Sequence, residues 1–139
     1  MRAAVISLPV LMLAGCGPTH AGSSDPSPAP PVITSPHAGF DVLITENDRA
    51  AAVKVGQRIE VVLRARPGMT TWSGLNVDDG AVLRAIPTGI TAARGVTIAG
   101  YEAARAGTAT ITATAGPLCS PGQACPAIAM LFEVRVTVA

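Results

Sequence analysis

The sequence predicts an all-β domain, an antiparallel β-sandwich of about seven strands that follows a signal peptide and a disordered linker. From Phe40 onward, apolar and polar residues alternate with a period of two in run after run. Turn residues such as Asp-Gly and Pro-Gly separate these runs, and no window combines helical periodicity with a capping box. Several short strands at regular spacing, in a chain of 139 residues, are typical of one two-sheet domain.

The first fifteen residues predict a secretory signal. Arg2 supplies a positive start, residues 3–12 form an apolar run that is too short to span a bilayer, and "LAGC" ends at Cys16. "LAGC" resembles the lipobox of bacterial lipoproteins. The resemblance implies cleavage before Cys16 and a lipid (diacylglycerol with palmitate) on its sulfur, which would anchor the chain to the extracytoplasmic face of the cell membrane. The alternative is an ordinary secretory signal in which the cysteine is incidental.

Residues 16–39 predict a disordered tether rich in Pro, Ser and Ala. Such a segment buries too little apolar surface to offset the entropy lost on ordering. In an extended polyproline-like form it could reach about 70 Å. Both histidines of the chain, His20 and His37, fall within this segment.

The domain is expected over residues 40–139, and its predicted strands follow in chain order. They cover residues 40–45, 57–67, 70–77, 81–87, 96–103, 108–116 and 128–138. In the second strand, Ile59, Val61 and Leu63 share one face, while Glu60 and the arginines share the other, which we expect to be solvated. A strand count near seven fits an immunoglobulin-like sandwich.

Residues 53–138 are similar in strand pattern and glycine placement to bacterial immunoglobulin-like domains and to chagasin-type inhibitors of papain-like cysteine proteases. The motifs are "VGQRIEVVL", a loop before Trp72, "GYEAARAGTATITATA" and "FEVRVTV". In the inhibitor family, three loops at one end of the sandwich enter the protease cleft, and the first typically reads Asn-Pro-Thr-Thr-Gly. The stretch "RPGMTTW" resembles it at Pro67, Thr70 and Thr71, with Arg66 in the place of the Asn. The family's last loop typically carries Arg-Pro-Trp, and here a cysteine loop stands instead.

That cysteine loop, "GPLCSPGQACPA", predicts a disulfide between Cys119 and Cys125. Assigning Cys16 to lipid leaves these two thiols as an even pair in a compartment where disulfides persist. A redox pair would have Cys-x-x-Cys at the start of a helix, and unpaired thiols are the remaining alternative. A ring this small contributes at most about 2 kcal/mol, so the bond would mainly shape the loop.

Other chemistry is not indicated. Catalytic triads and zinc sites need histidines held in place, and the Asp78-Asp79-Gly80 and Glu46-Asn47-Asp48 clusters are typical of turns. Nine basic and nine acidic residues remain after residue 15, so nucleic acid is not an expected partner. We expect no cofactor, no metal and no enzymatic activity. We expect Trp72 to be a core residue between the sheets, and the alternative is an exposed binding residue at a loop tip.

The sequence therefore favours a monomeric, lipid-anchored, non-enzymatic binding or structural module of the cell envelope, with a possible protein partner there. The alternative function is a chagasin-like inhibitor of papain-family cysteine proteases. The candidate binding residues for either role lie in two loops: Pro67, Gly68, Met69, Thr70, Thr71, Ser120, Pro121, Gly122 and Gln123.

Overall fold

The computed structural model describes residues 35–139. The signal segment, Cys16 and the tether up to residue 34 lie outside this range. Eight β-strands form the described part: β1 (Val42–Thr45), β2 (Ala50–Val53), β3 (Arg58–Arg64), β4 (Ser73–Val77), β5 (Leu83–Ile86), β6 (Val96–Ala103), β7 (Gly107–Ala115) and β8 (Met130–Val138). Over residues 35–139, no helix has the length and apolar character needed to cross a membrane.

The strands form two four-stranded sheets that confirm the predicted all-β sandwich. One sheet, sheet A, has the order β1-β3-β6-β5, and the other, sheet B, has the order β2-β8-β7-β4. Most neighbours are antiparallel, but β1 is parallel to β3 and β2 is parallel to β8. The purely antiparallel expectation is therefore wrong for two edge pairs. The strands β1 and β2 lie in different sheets and do not pair with each other. β1 joins β3, the next strand but one, whereas β2 joins β8, the last strand of the chain.

The eighth strand, β2, is the one that the alternation pattern does not reveal. Its sequence is "AAAV", and only Val53 is buried. Alanine has a low intrinsic preference for strands. Backbone pairing of Ala50–Val53 with residues 135–138 of β8 holds the segment as a strand. A tertiary contact therefore overrides a weak local signal.

The core lies between the sheets and follows the predicted alternation. On β8, the buried residues Phe132, Val134 and Val136 alternate with exposed neighbours. Burying a side chain of this size stabilises the fold by about 1.5–3 kcal/mol. Trp72 is 5% exposed, and its ring packs edge-on against Phe132 with centroids 6.1 Å apart, which confirms its core role.

Glu60 departs from the sequence expectation. It lies on the outer face of sheet A as the alternation predicted, but it is fully buried rather than solvated. The backbone N–H of His37 donates to Glu60 Oε2 at 2.8 Å, and His37 Nδ1 lies 2.6 Å from Oε1. A turn in which the Phe40 N–H donates to the His37 carbonyl brings Phe40 over Gly100 on the same face. His37, which the sequence assigned to the tether, is thus held against the domain.

Candidate functional site: the three-loop end

Three loops meet at one end of the sandwich because of the strand directions. Strands β3, β5 and β7 end there, and β4, β6 and β8 begin there. The connecting segments are residues 65–72, 87–95 and 116–129. We call this surface the three-loop end. Two of its loops are the ones that the sequence selected, and the β5–β6 loop is the third.

The first and third loops are joined by hydrogen bonds. The Thr70 N–H donates to the Gly116 carbonyl at 2.8 Å, and the Gly116 N–H donates to Thr70 Oγ1 at 3.0 Å. The Leu118 N–H donates to the Gly68 carbonyl at 2.8 Å. Met69 and Pro117 face each other in an isolated antiparallel bridge. Because these bonds link segments about 46 positions apart in the chain, the two loops form one unit.

The second loop is connected to the first at its base. The Ala65 N–H donates to the Gly95 carbonyl at 2.7 Å, and the Val96 N–H donates to the Ala93 carbonyl at 3.0 Å. Gly95 has a φ of 78°, a conformation that favours glycine, so the turn before β6 depends on it. The loop therefore leaves the sheet in a defined direction beside the first loop.

Trp72 anchors the first loop in the core. Its indole N–H donates to the Arg64 carbonyl at 2.9 Å, and Thr97 Oγ1 donates to the Trp72 carbonyl at 2.7 Å. The Arg64 N–H donates to Glu46 Oε2 at 3.1 Å, which brings the β1–β2 turn to the base of the same loop. A loop held at both ends in this way loses little entropy on binding a partner.

An open groove of about 410 Å³ lies between the three loops. Its lining comes from all three of them: Ala65, Met69, Thr70, Thr71, Arg94, Gly95 and Leu118. The surface is mostly apolar, and Arg94 is the single charged residue in that lining. Leu118 is 65% exposed, so its side chain is available to a partner.

The cysteine loop has the predicted disulfide between Cys119 and Cys125, with Cα atoms 5.6 Å apart. Residues 118–129 are exposed throughout. Within the ring, the Gln123 N–H donates to the Ser120 carbonyl at 3.2 Å, which closes a turn at Pro121 and Gly122. The bond therefore shapes a projecting segment rather than the core.

The structure separates the predicted binding residues into two groups. Met69, Thr70 and Thr71 line the groove, and the exposed residues Pro67 and Gly68 lie next to them. Ser120–Gln123 project outside the groove lining, at the tip of the disulfide ring. Sequence reasoning missed Arg94 and Leu118 as groove residues. The glycine-rich stretch "TGITAARG" between two strands was the available signal for the former.

The carboxyl groups whose pKa values are shifted, Asp78 and Glu102, are not part of the groove lining. A hydrogen bond from the Thr110 N–H lowers the pKa of the exposed Asp78 carboxyl, and the Arg84 guanidinium lowers the pKa of Glu102. Among residues 35–139, no hydroxyl or thiol is bonded to the His37 ring, and no group of three or more His, Cys, Asp or Glu could hold a metal.

Comparison with solved structures finds several that match this chain, two of them as follows. One is the crystal structure of a cysteine protease inhibitor, EhICP2, from Entamoeba histolytica, with 18% identity and a TM-score of 0.48 over 76% of this chain and 100% of that one. The other is the solution structure of amebosin, with 20% identity and a TM-score of 0.41 over 73% and 100% respectively. No protein-family model matches the chain, and no curated protein sequence matches it.

Proposed function

We propose that the chain inhibits cysteine proteases of the papain class by placing its three-loop end in their substrate cleft. The observation that carries this proposal is the mutual bracing of the loops through Thr70, Gly116 and Leu118. An inhibitor that enters a cleft without being cleaved needs rigid loops, because ordering a mobile loop would reduce its affinity. The resemblance of "RPGMTTW" to the first inhibitory loop points to the same surface.

The broader function, a non-enzymatic binding or structural module, does not by itself account for this bracing. A spacer domain needs a stable sandwich, but it does not need hydrogen bonds between its loops. Loops on a rigid scaffold are typical binding surfaces, and their exposed apolar residues, such as Leu118, are typical contact residues. We therefore place protease inhibition first and binding of another envelope protein second.

The test is a titration of the full chain against papain, followed by residual peptide hydrolysis, with trypsin as the unrelated protease. We expect submicromolar inhibition of papain and none of trypsin. Met69→Glu puts a charge into the apolar groove and should weaken inhibition at least tenfold. Val55→Glu is the matched control, because Val55 is 51% exposed in a turn at the opposite end of the sandwich. Absence of papain inhibition at high micromolar concentration, or equal inhibition by both variants, would contradict the proposal.

We also propose that Cys16 carries a lipid and that the inhibitor acts at the outer face of the cell membrane. This proposal rests on "LAGC" and its apolar lead-in alone. Cys16→Ala should move the chain from the membrane pellet to the soluble fraction after cell fractionation. Unchanged retention in the membrane would overturn the lipid anchor and leave protease inhibition untouched.

A further inference from the structure

The three-loop end has a one-sided charge. Its three loops contain two arginines, Arg66 and Arg94, and no Asp or Glu; these loops are residues 65–72, 87–95 and 116–129. Both arginines are exposed. Within residues 35–139, neither guanidinium forms an ion pair. Their charge is therefore available to an incoming partner.

The acidic side chains of the adjacent β1–β2 turn offset only part of this charge. Glu46 and Asp48 belong to the β1–β2 turn at the base of the loops, and both are partly buried. Glu46 accepts the Arg64 N–H, while Asp48 Oδ2 accepts the Thr45 N–H at 2.7 Å and the Thr45 hydroxyl at 2.8 Å. Hydrogen bonding does not remove the charge of these carboxylates, but the same turn adds the cation Arg49. The turn's net charge of −1 therefore offsets only part of the +2 carried by Arg66 and Arg94.

The turns that connect consecutive strands at the opposite end of the sandwich are electrically balanced. These turns, residues 54–57, 78–82 and 104–106, contain two cations, Lys54 and Arg105, and two carboxylates, Asp78 and Asp79. Arg105 lies 3.9 Å from the Asp79 carboxylate. The chain as a whole has a net charge of only +1, so the positive character of the three-loop end is local.

From this distribution, and resting on the proposed function, we infer that the cognate protease carries carboxylates around the rim of its cleft. Arg94 lines the groove and Arg66 lies at the start of the first loop, so both would approach the rim as the loops enter. Unpaired surface charges of this kind accelerate association with an oppositely charged surface, and they act against partners of like charge. The two arginines are thus specificity-determining residues that act mainly on the association rate.

The test uses the full chain and two papain-class proteases of known structure, one with a carboxylate-lined cleft rim and one with a rim of Lys and Arg. Association rates are measured from the onset of inhibition at low and at near-molar salt. We expect association with the acidic-rim enzyme to slow about tenfold at high salt, because salt screens exposed charges. The rate with the basic-rim enzyme should stay constant or rise.

The variant Arg66→Gln with Arg94→Gln should slow association with the acidic-rim enzyme about tenfold at low salt and lessen its salt dependence. The control, Lys54→Gln with Arg105→Gln, makes the same change in net charge at the balanced end and should leave the rate within twofold. Inhibition that is insensitive to salt and to both arginines would overturn this inference alone. If neither enzyme is inhibited, the proposed function fails and the inference fails with it.

Discussion

Replacing His37 by Ala should measurably destabilise the domain although the residue lies outside every strand. The imidazole is 41% exposed, but the carboxylate that it contacts, Glu60, is fully buried. A hydrogen bond to a charged group contributes about 1.5–3 kcal/mol, and removing one partner leaves the other insufficiently solvated. In the variant, the backbone N–H of residue 37 can still donate to Glu60 Oε2, and water can reach part of the space that the imidazole leaves. We therefore expect a loss of about 2 kcal/mol.

Urea unfolding followed by tryptophan fluorescence measures this loss, because Trp72 is the single tryptophan of the chain and is buried. A loss of this size should lower Tm by about 10 °C in a domain of this length. Gln57→Ala is the matched control: Gln57 Oε1 accepts the Lys54 N–H at 2.8 Å in an exposed turn, so its loss should cost at most about 1 kcal/mol.

A His37→Ala variant within about 0.5 kcal/mol of the parent would refute the reasoning. It would mean that the turn at residues 37–40 does not cover Glu60 in solution. Glu60→Gln removes the carboxylate charge and keeps the hydrogen-bonding groups, since the amide oxygen can still accept the His37 N–H and the amide N–H can donate to the imidazole. In a double-mutant cycle with His37→Ala, we expect a coupling free energy of about 1–2 kcal/mol between the two positions.

Two further predictions concern stability. Gly107→Ala should lower the free energy of unfolding, measured in urea, by about 2 kcal/mol, because the φ of Gly107 is 150° and an added Cβ would lie 2.9 Å from Val82 Cγ2. Gly80→Ala is the control and should leave that free energy unchanged, since Gly80 has open space around it and no positive φ. Equal effects of the two substitutions would contradict this account. Glu102, whose pKa is lowered by Arg84, stabilises the fold above the ordinary carboxyl pKa of 4.5 and loses that contribution as the pH falls through its lower folded pKa. In urea unfolding at a series of pH values, Arg84→Gln should therefore make the free energy of unfolding fall less steeply below pH 4.5. An unchanged fall would argue against the ion pair between Arg84 and Glu102.

Local sequence patterns were sufficient to predict most strands of the sandwich. Strand β6 begins and ends where the alternation predicted, and β8 differs only at its start. Period-two burial is a local property of an extended chain, so it can be read without knowing the partner strand. Strand β2 could not be predicted because its alanines are compatible with many conformations and only its pairing with β8 selects one.

The disulfide was also predictable, because cysteine parity and the expected compartment leave few alternatives. The groove was predictable only in part. Met69, Thr70 and Thr71 were candidates because they precede the tryptophan, whereas Arg94 gains its meaning only when the β5–β6 hairpin is seen beside them. Convergence of loops depends on strand order, which is a long-range property of the chain.

The sequence by itself determined the all-β class, seven of the eight strands and the pairing of Cys119 with Cys125. Each of these depends on periodicity or on counting residues. Tertiary structure alone decided that Glu60 is buried, that β1 and β2 join their sheets in parallel, and that three separate loops share one surface. Those features arise from contacts between residues far apart in the chain, and the burial of Glu60 beneath His37 shows that an alternation pattern specifies a face of a strand but not what covers that face.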